Sequence, residues 1–383
     1  MKKIAVVTAT RAEYGLLAPV IFNLRKYESC DLKIDLIVTG THLNKAYGMT
    51  ISEIKERIDY KVYIQVKSET DLDISENQAD TLVKFTKLFM DEKYNAVILL
   101  GDRYETLAIA IAAGNTHTPI FHLCGGDTTQ GAVDEWIRHS ITKMSYIHFV
   151  TNEESRKRVI QLGENPHRVF NYGSTSIDNI LTIADMSKQG ALRSIGLEDS
   201  RYALCTYHPV TMGEGCVDSQ IENFLEAIVA YPKIQFIVTK SNADHGGAKI
   251  NELIDAAESK IANLHVFTSL GTRRYLSLMR YAEFVLGNSS SGIIETPAFK
   301  IPTVNIGDRQ KGRLQTESVI NCSSDAASIM KAINYALSDE CKAVCKKIVS
   351  PYGDGKAAER ISEKVVEVVM NGRIDLKKKF FDL

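Results

Sequence analysis

A chain of 383 residues is longer than one hydrophobic core comfortably fills, so two domains are expected. With 46 basic and 47 acidic residues, a formal charge of −1, no global field draws the protein to nucleic acid or to an anionic membrane, and any phosphate must be gripped locally. Seven scattered cysteines without a CxxC pair argue against a zinc site or a disulfide framework and fit reduced thiols in a cytoplasmic protein.

The apolar run between Lys3 and Thr10 is too short for a signal peptide or a membrane span and reads as a buried parallel strand. Val- and Ile-rich runs recur at 4–8, 34–39, 96–100, 120–123, 147–151 and 169–172, with helical spacing at 13–26, 104–113 and 153–162. Such alternation predicts a doubly wound parallel sheet. Residues 174–199 carry a helical, polar-leaning pattern, after which strand-like runs restart at 203–207, 234–239, 265–268, 284–286 and 303–306. The fold class is therefore α/β, with two Rossmann-like doubly wound domains. The expected divisions are 1–175, 176–360, and a terminal helix and tail at 361–383. Its amphipathic spacing covers 356–370 and ends at Asn371-Gly372, a C-cap signal. A long terminal helix of this kind can return to the first domain.

Candidate chemistry gathers where strands end. Thr8-Ala9-Thr10-Arg11-Ala12-Glu13-Tyr14-Gly15 follows the first strand and opens a helix, where free N–H groups favour an anion and Arg11 adds charge. It is not a GxGxxG dinucleotide fingerprint, and an arginine capping a neighbouring carbonyl is the plain alternative. Gly101-Asp102-Arg103-Tyr104-Glu105 lies past the strand AVILL, so Asp102 belongs either to a ligand crevice or to the N-cap of the next helix. His122-Leu123-Cys124-Gly125-Gly126-Asp127, Asp134-Glu135 and Ile137-Arg138-His139-Ser140 concentrate acids, histidines and glycines that no apolar core needs.

Later in the chain, Tyr207-His208-Pro209 and Lys240-Ser241-Asn242 each end a strand-like run. Gly287-Asn288-Ser289-Ser290-Ser291-Gly292-Ile293-Ile294-Glu295 leads from a strand into small hydroxyl residues and a helix start suited to a diphosphate. Arg309 and Arg313 in Gly307-Asp308-Arg309-Gln310-Lys311-Gly312-Arg313 supply further positive charge, and Glu295 suits sugar or ribose hydroxyls.

Together TATRAEYG, TGTHLNKAYG, GDRYE, the GGD run before DEWIRHSITKMS, HPVT, GNSSSGIIE and GDRQKGR resemble the hydrolysing UDP-N-acetylglucosamine 2-epimerases of bacterial sialic acid synthesis. The likeness spans nearly the whole chain. It implies a GT-B-like fold, with the two domains facing a central cleft, sugar chemistry on the first and UDP on the second. It implies elimination of UDP to a 2-acetamidoglucal, then hydration to N-acetylmannosamine, with no metal or redox cofactor and a homodimer or homotetramer as the assembly. By resemblance Asp102 and Asp134 match catalytic acids oriented by Arg103 and Arg138, and Asp127 stands where the family's usual Glu follows the paired glycines. Arg11, His208, Asn242, Ser289, Ser290, Glu295 and Arg309 match positions that grip the UDP-sugar.

Two departures bear on substrate. Cys124 stands where relatives carry Glu or His, and a thiol is a poor carboxylate substitute, so packing is its expected role. Asp127 is one methylene shorter than Glu. Both leave a UDP-linked 2,4-diacetamido-2,4,6-trideoxyhexose of the legionaminic acid route as an alternative substrate. A GT-B glycosyltransferase using a UDP-sugar is the alternative from another reaction class, and a binding-only sensor is the last.

Overall fold

In the computed structural model, which describes residues 1–67, 70–129, 133–208, 217–241 and 247–383, the strands form two separate sheets. The chain divides into two compact units. The first comprises Met1–Asp127, Val133–Asp178 and Tyr352–Leu383, and the second comprises Asn179–Pro351 with a short segment from Thr128.

The first sheet contains β1 (Lys2–Thr8), β2 (Leu32–Val38), β3 (Tyr60–Lys61), β4 (Ala96–Leu100), β5 (Ile120–Leu123), β6 (Ile147–Val150) and β7 (Val169–Asn171). Their order is β3-β2-β1-β4-β5-β6-β7, all parallel. The apolar runs are continuous because both faces are covered. Ile4 and Val6 of β1 join one buried cluster, whereas Ala5 and Val7 join another on the opposite face.

The second sheet repeats the plan with β8 (Tyr202–Thr206), β9 (Gln235–Thr239), β10 (Leu264–Phe267), β11 (Val285–Gly287), β12 (Thr303–Ile306) and β13 (Val319–Cys322). Its order is β10-β9-β8-β11-β12-β13, again parallel. Strand order reverses between β1 and β4 in one unit and between β8 and β11 in the other. Open α/β sheets bind ligands at such points, beyond the strands' carboxyl ends.

Elements outside the expected set include β3, β13 and the helix Asp71–Glu92. β3 is only two residues long, and β13 has no buried position. The helix buries Asn77, Thr81, Phe85 and Phe89, so half of its buried stripe is polar and its periodicity is faint.

After β12 and β13 the chain returns to the first unit. Ser174 donates its N–H to the Tyr352 carbonyl at 2.7 Å, and Asp178 accepts from Ala357 N at 3.2 Å and Ala358 N at 2.9 Å. Those N–H groups open the helix Ala357–Asn371, whose Ala358, Ile361, Val365 and Val369 stripe is buried in the same cluster as Leu17, Val20, Ile21 and Leu24 of the helix Arg11–Arg25. Asp178 thus acts as a cap supplied from a remote segment. Asp178→Ala is expected to cost about 1–2 kcal/mol, read from the urea midpoint at constant slope; an unshifted midpoint would remove the capping role.

Candidate active site

At the carboxyl edge of the first sheet, Asp102 follows β4 and meets Arg138 from the helix Asp134–Met144, whose guanidinium Nη2 donates to Asp102 Oδ2. Arg138 is 1% exposed. Its Nη1 also donates to the Asp127 carbonyl at 2.8 Å and to Glu135 Oε2 at 3.2 Å. Burial works against the Arg138 charge, but the Asp102 carboxylate, with Asp127 and Glu135, outweighs it and holds the pKa above its ordinary value. Asp134 lies one turn before Arg138 on the same helix face. Asp102, Asp134 and Arg138 therefore share one corner of the unit.

Asp102 is not an N-cap. Arg103 occupies that position without a side-chain cap bond, and Glu105 receives Arg103 Nε at 2.8 Å. Behind the Asp102 turn, buried His122 donates from Nε2 to the Gly101 carbonyl at 2.9 Å, with Thr142 on Nδ1 at 3.4 Å. Burial drives His122 down to about 4, so this strut is neutral at pH 7. Gly126 (φ +81°) passes so close to the helix Glu153–Gln161 that a Cβ would stand 2.4 Å from the Ser155 carbonyl.

The loop after β1 is not the open anion cradle that its sequence suggests. Thr10 and Glu13 form a capping box, and Glu13 Oε2 takes the N–H groups of Ala9 at 2.8 Å and Thr10 at 3.1 Å. Arg11 occupies the first helical position and is exposed. His42, from the TGTHLNKAYG run, sits buried below, with Nε2 on Thr8 Oγ1 at 3.1 Å and Nδ1 on Thr50 Oγ1 at 2.8 Å.

The second unit centres on Asn288, which is fully buried at the end of β11. Its Oδ1 accepts the His208 N–H at 2.7 Å and its Nδ2 donates to the His208 carbonyl at 2.8 Å, while its own carbonyl accepts Arg309 Nη1 at 3.2 Å and Gln310 Nε2 at 2.8 Å. One residue thereby joins the ends of β8, β11 and β12, through its side-chain amide and its backbone carbonyl. Gly287 (φ +136°) permits this approach, because a Cβ there would lie 2.0 Å from the Thr206 carbonyl.

Burial, with the Arg309 charge beside it, pushes His208 down to about 3. Its imidazole is neutral, and Nδ1 lies 3.2 Å from Ser241 Oγ. Ser289 and Ser290 are part-exposed at the start of the following helical turns, and burial lifts nearby Glu295 up to about 7 against the Ser291 hydroxyl. A cavity of about 760 Å³ is lined by Tyr207, Asn305, Lys311 and Arg313 among others. None of His208, Ser289, Ser290, Glu295 or Arg309 lines it, so it is distinct from this cluster.

The sequence model of the UDP-N-acetylglucosamine 2-epimerase family matches residues 25–366. The chain belongs to that family. It is 37% identical to an Escherichia coli polysialic acid biosynthesis protein P7, over 100% of this chain and 98% of the other. It is 39% identical to a hydrolysing GDP/UDP-N,N'-diacetylbacillosamine 2-epimerase of Campylobacter jejuni, over 84% of each. Its fold matches a Neisseria meningitidis UDP-GlcNAc 2-epimerase solved with UDP-GlcNAc, at TM-score 0.82 and 22% identity over 96% of this chain and 100% of that one.

Within this epimerase family member, the expected residues fall into two clusters, one per unit. Asp102, Arg103, Asp127, Asp134, Arg138 and Arg11 lie in the first unit, and His208, Ser289, Ser290, Glu295 and Arg309 in the second. Asn242 lies outside the described residues. Asp127 Oδ1 accepts from Ser155 Oγ at 2.5 Å, Thr151 Oγ1 at 3.1 Å and Asn152 Nδ2 at 3.5 Å. Those donors fix the carboxylate to the start of the helix Glu153–Gln161, so it anchors the loop whose carbonyl receives Arg138. Cys124 packs against the first unit's core cluster. Among the described residues, no group of three or more His, Cys, Asp or Glu side chains converges as metal ligands would, and each of the six described cysteines is a free thiol.

Sequence reasoning assigned no role to Asn288, Gln310 or Glu13. The available signal was a polar residue directly after a buried strand, as in Gly287-Asn288. Asn288→Ala would leave the His208 N–H and carbonyl unpaired. A loss of about 2–4 kcal/mol is expected in chemical denaturation; a loss within the scatter of neutral surface substitutions would deny Asn288 its central place.

Proposed function

We propose that the chain is a cytoplasmic hydrolysing 2-epimerase that converts UDP-N-acetylglucosamine and water to N-acetylmannosamine and UDP for sialic acid synthesis. The observation that carries this reading is the buried Arg138–Asp102 pair with Asp134 one turn away, two acids around one fixed cation at a sheet's switch point. Epimerisation requires a proton to leave C2 on one face and another to arrive on the opposite face. Two carboxylates suit that pair of transfers, and neither is assigned the first step alone.

Cleavage leads, because a C2 proton is too weakly acidic to depart first. The C1–O bond breaks with its electron pair going to UDP, a carboxylate takes the C2 proton, and the C1=C2 bond of 2-acetamidoglucal forms. Water oxygen then bonds to C1 as a proton adds to C2 from the other face. The carbon skeleton is neither oxidised nor reduced. Arg309 and Arg11 are assigned to the charge growing on the departing diphosphate, and neutral His208 can offer Nε2–H when Ser241 donates to Nδ1. Ser289 and Ser290 are assigned to phosphate oxygens and Glu295 to ribose hydroxyls.

A second reading differs only in the sugar. The Campylobacter jejuni relative, together with a Legionella pneumophila UDP-N,N'-diacetylbacillosamine 2-epimerase at 33% identity over 98% of both chains, supports a UDP-linked 2,4-diacetamido-2,4,6-trideoxyhexose.

Incubation of the purified protein with UDP-N-acetylglucosamine in D2O, without acceptor, is expected to give UDP and N-acetylmannosamine deuterated at C2 by proton NMR. Conversion to UDP-N-acetylmannosamine without free UDP would overturn the hydrolytic assignment, and turnover of the diacetamido substrate alone would select the second reading. Asp102→Asn is expected to lower turnover by about 10²–10⁴-fold while UDP binding by calorimetry persists. Wild-type turnover in that variant would remove Asp102 from the chemistry.

A further inference from the structure

Arg103 leaves β4 one residue after Asp102, and two carboxylates stand behind it. Glu105, 1% exposed, accepts Arg103 Nε at 2.8 Å through Oε1. Glu13, 6% exposed, comes from the helix after β1 and spends Oε2 on the Ala9 and Thr10 N–H groups. Each carboxylate keeps one oxygen, Glu13 Oε1 and Glu105 Oε2, buried without a hydrogen-bond partner. Two full negative charges against one guanidinium would leave this corner charged, with two acceptors unsatisfied, and both conditions are costly away from water.

We propose that Glu13 and Glu105 together hold a single proton, carried by Glu13, and that the resulting neutral trio positions the Arg103 guanidinium beside Asp102. A proton on Glu13 Oε1 removes the surplus charge and converts an unsatisfied acceptor into a donor. The charged groups acting on Glu13 are Glu105 and Arg103, alongside the two backbone N–H groups. Burial first, then the Glu105 charge, push Glu13 up to about 7, outweighing Arg103 and those N–H groups. Arg103 itself is held above its ordinary value, chiefly by Glu105.

The functional consequence rests on the epimerase reading. Below about pH 7 the trio is neutral, and above it Glu13 ionises and competes for Arg103. The corner beside Asp102 then becomes net negative, which opposes an anionic nucleotide-sugar. Glu13 and Glu105 are thus positioning residues, since they act through Arg103.

The test uses the full-length protein with 13C-labelled glutamate carboxyls, titrated by NMR. Wild type is expected to show a buried carboxyl titrating near pH 7 that is absent in Glu13→Gln; glutamine keeps an acceptor for the two N–H groups. Glu295 is also lifted to about 7, so its resonance is identified by its loss in Glu295→Gln. In Glu105→Gln the Glu13 resonance should titrate at least about one unit lower, because the repelling charge is gone. Unfolding supplies a second readout. A carboxyl that keeps its proton when folded contributes stability below its unfolded value, and that contribution is lost as pH rises toward about 7. Glu13→Gln should flatten that part of the Tm profile. If no carboxyl but that of Glu295 titrates near neutrality, or if the signal survives Glu13→Gln, the shared proton is overturned. In turnover, the rise of KM above neutral pH should be weaker in Glu13→Gln. Absence of turnover with every UDP-N-acetylhexosamine would strike the functional reading alone, leaving the NMR result to decide the trio.

Discussion

A guanidinium that is 1% exposed must be neutralised where it stands, and the way Arg138 meets that requirement organises the first unit's site. Its partners come from the β4 turn, from the loop after β5 and from its own helix. Losing one partner from such a buried group costs about 3–5 kcal/mol, so these segments are constrained together rather than merely adjacent. His122 tightens the same turn without adding charge, since burial keeps it neutral while it holds the Gly101 carbonyl. Asp102 is thereby presented from a rigid strand end. The acid–base role proposed for Asp102 demands that placement, because a carboxylate displaced by an ångström loses its proton-transfer geometry.

The second unit solves the same mechanical problem with a neutral residue. Asn288 ties the ends of β8, β11 and β12, as Arg138 ties its segments, yet it contributes no charge. The distinction is chemical. A carboxylate at that centre would draw Arg309 to itself, whereas a backbone carbonyl orients the guanidinium by a hydrogen bond alone. Arg309 in turn helps keep His208 neutral, so two donors stand side by side without mutual repulsion. One unit fixes acids around a buried guanidinium, and the other sets a guanidinium beside a neutral imidazole.

What the sequence made legible follows from this construction. Strands buried on both faces read as unbroken apolar runs, so the central strands of both sheets were visible within a residue or two. The edge strands β3 and β13 were not, because they are short or partly exposed. Asp102, Arg103 and His208 could be found because polar residues directly after buried strands have few structural uses. Asn288 obeys the same rule but was masked by the serines around it. Glu13 was hidden more deeply: in sequence it is an ordinary helix-capping residue, and only the packing of Arg103 and Glu105 gives its carboxyl an electrostatic role.

The departures around the paired glycines become intelligible on the same terms. Asp127 is held by Ser155, Thr151 and Asn152, and its carbonyl receives Arg138, so both its ends serve the loop. The extra methylene of Glu would displace the carboxylate from those donors. Gly126 leaves no slack, since its backbone already touches the helix that carries Ser155. Cys124 begins the loop against the apolar core, a setting that suits a small hydrophobe better than a carboxylate. A thiol there leaves this end of the loop less charged than a carboxylate would.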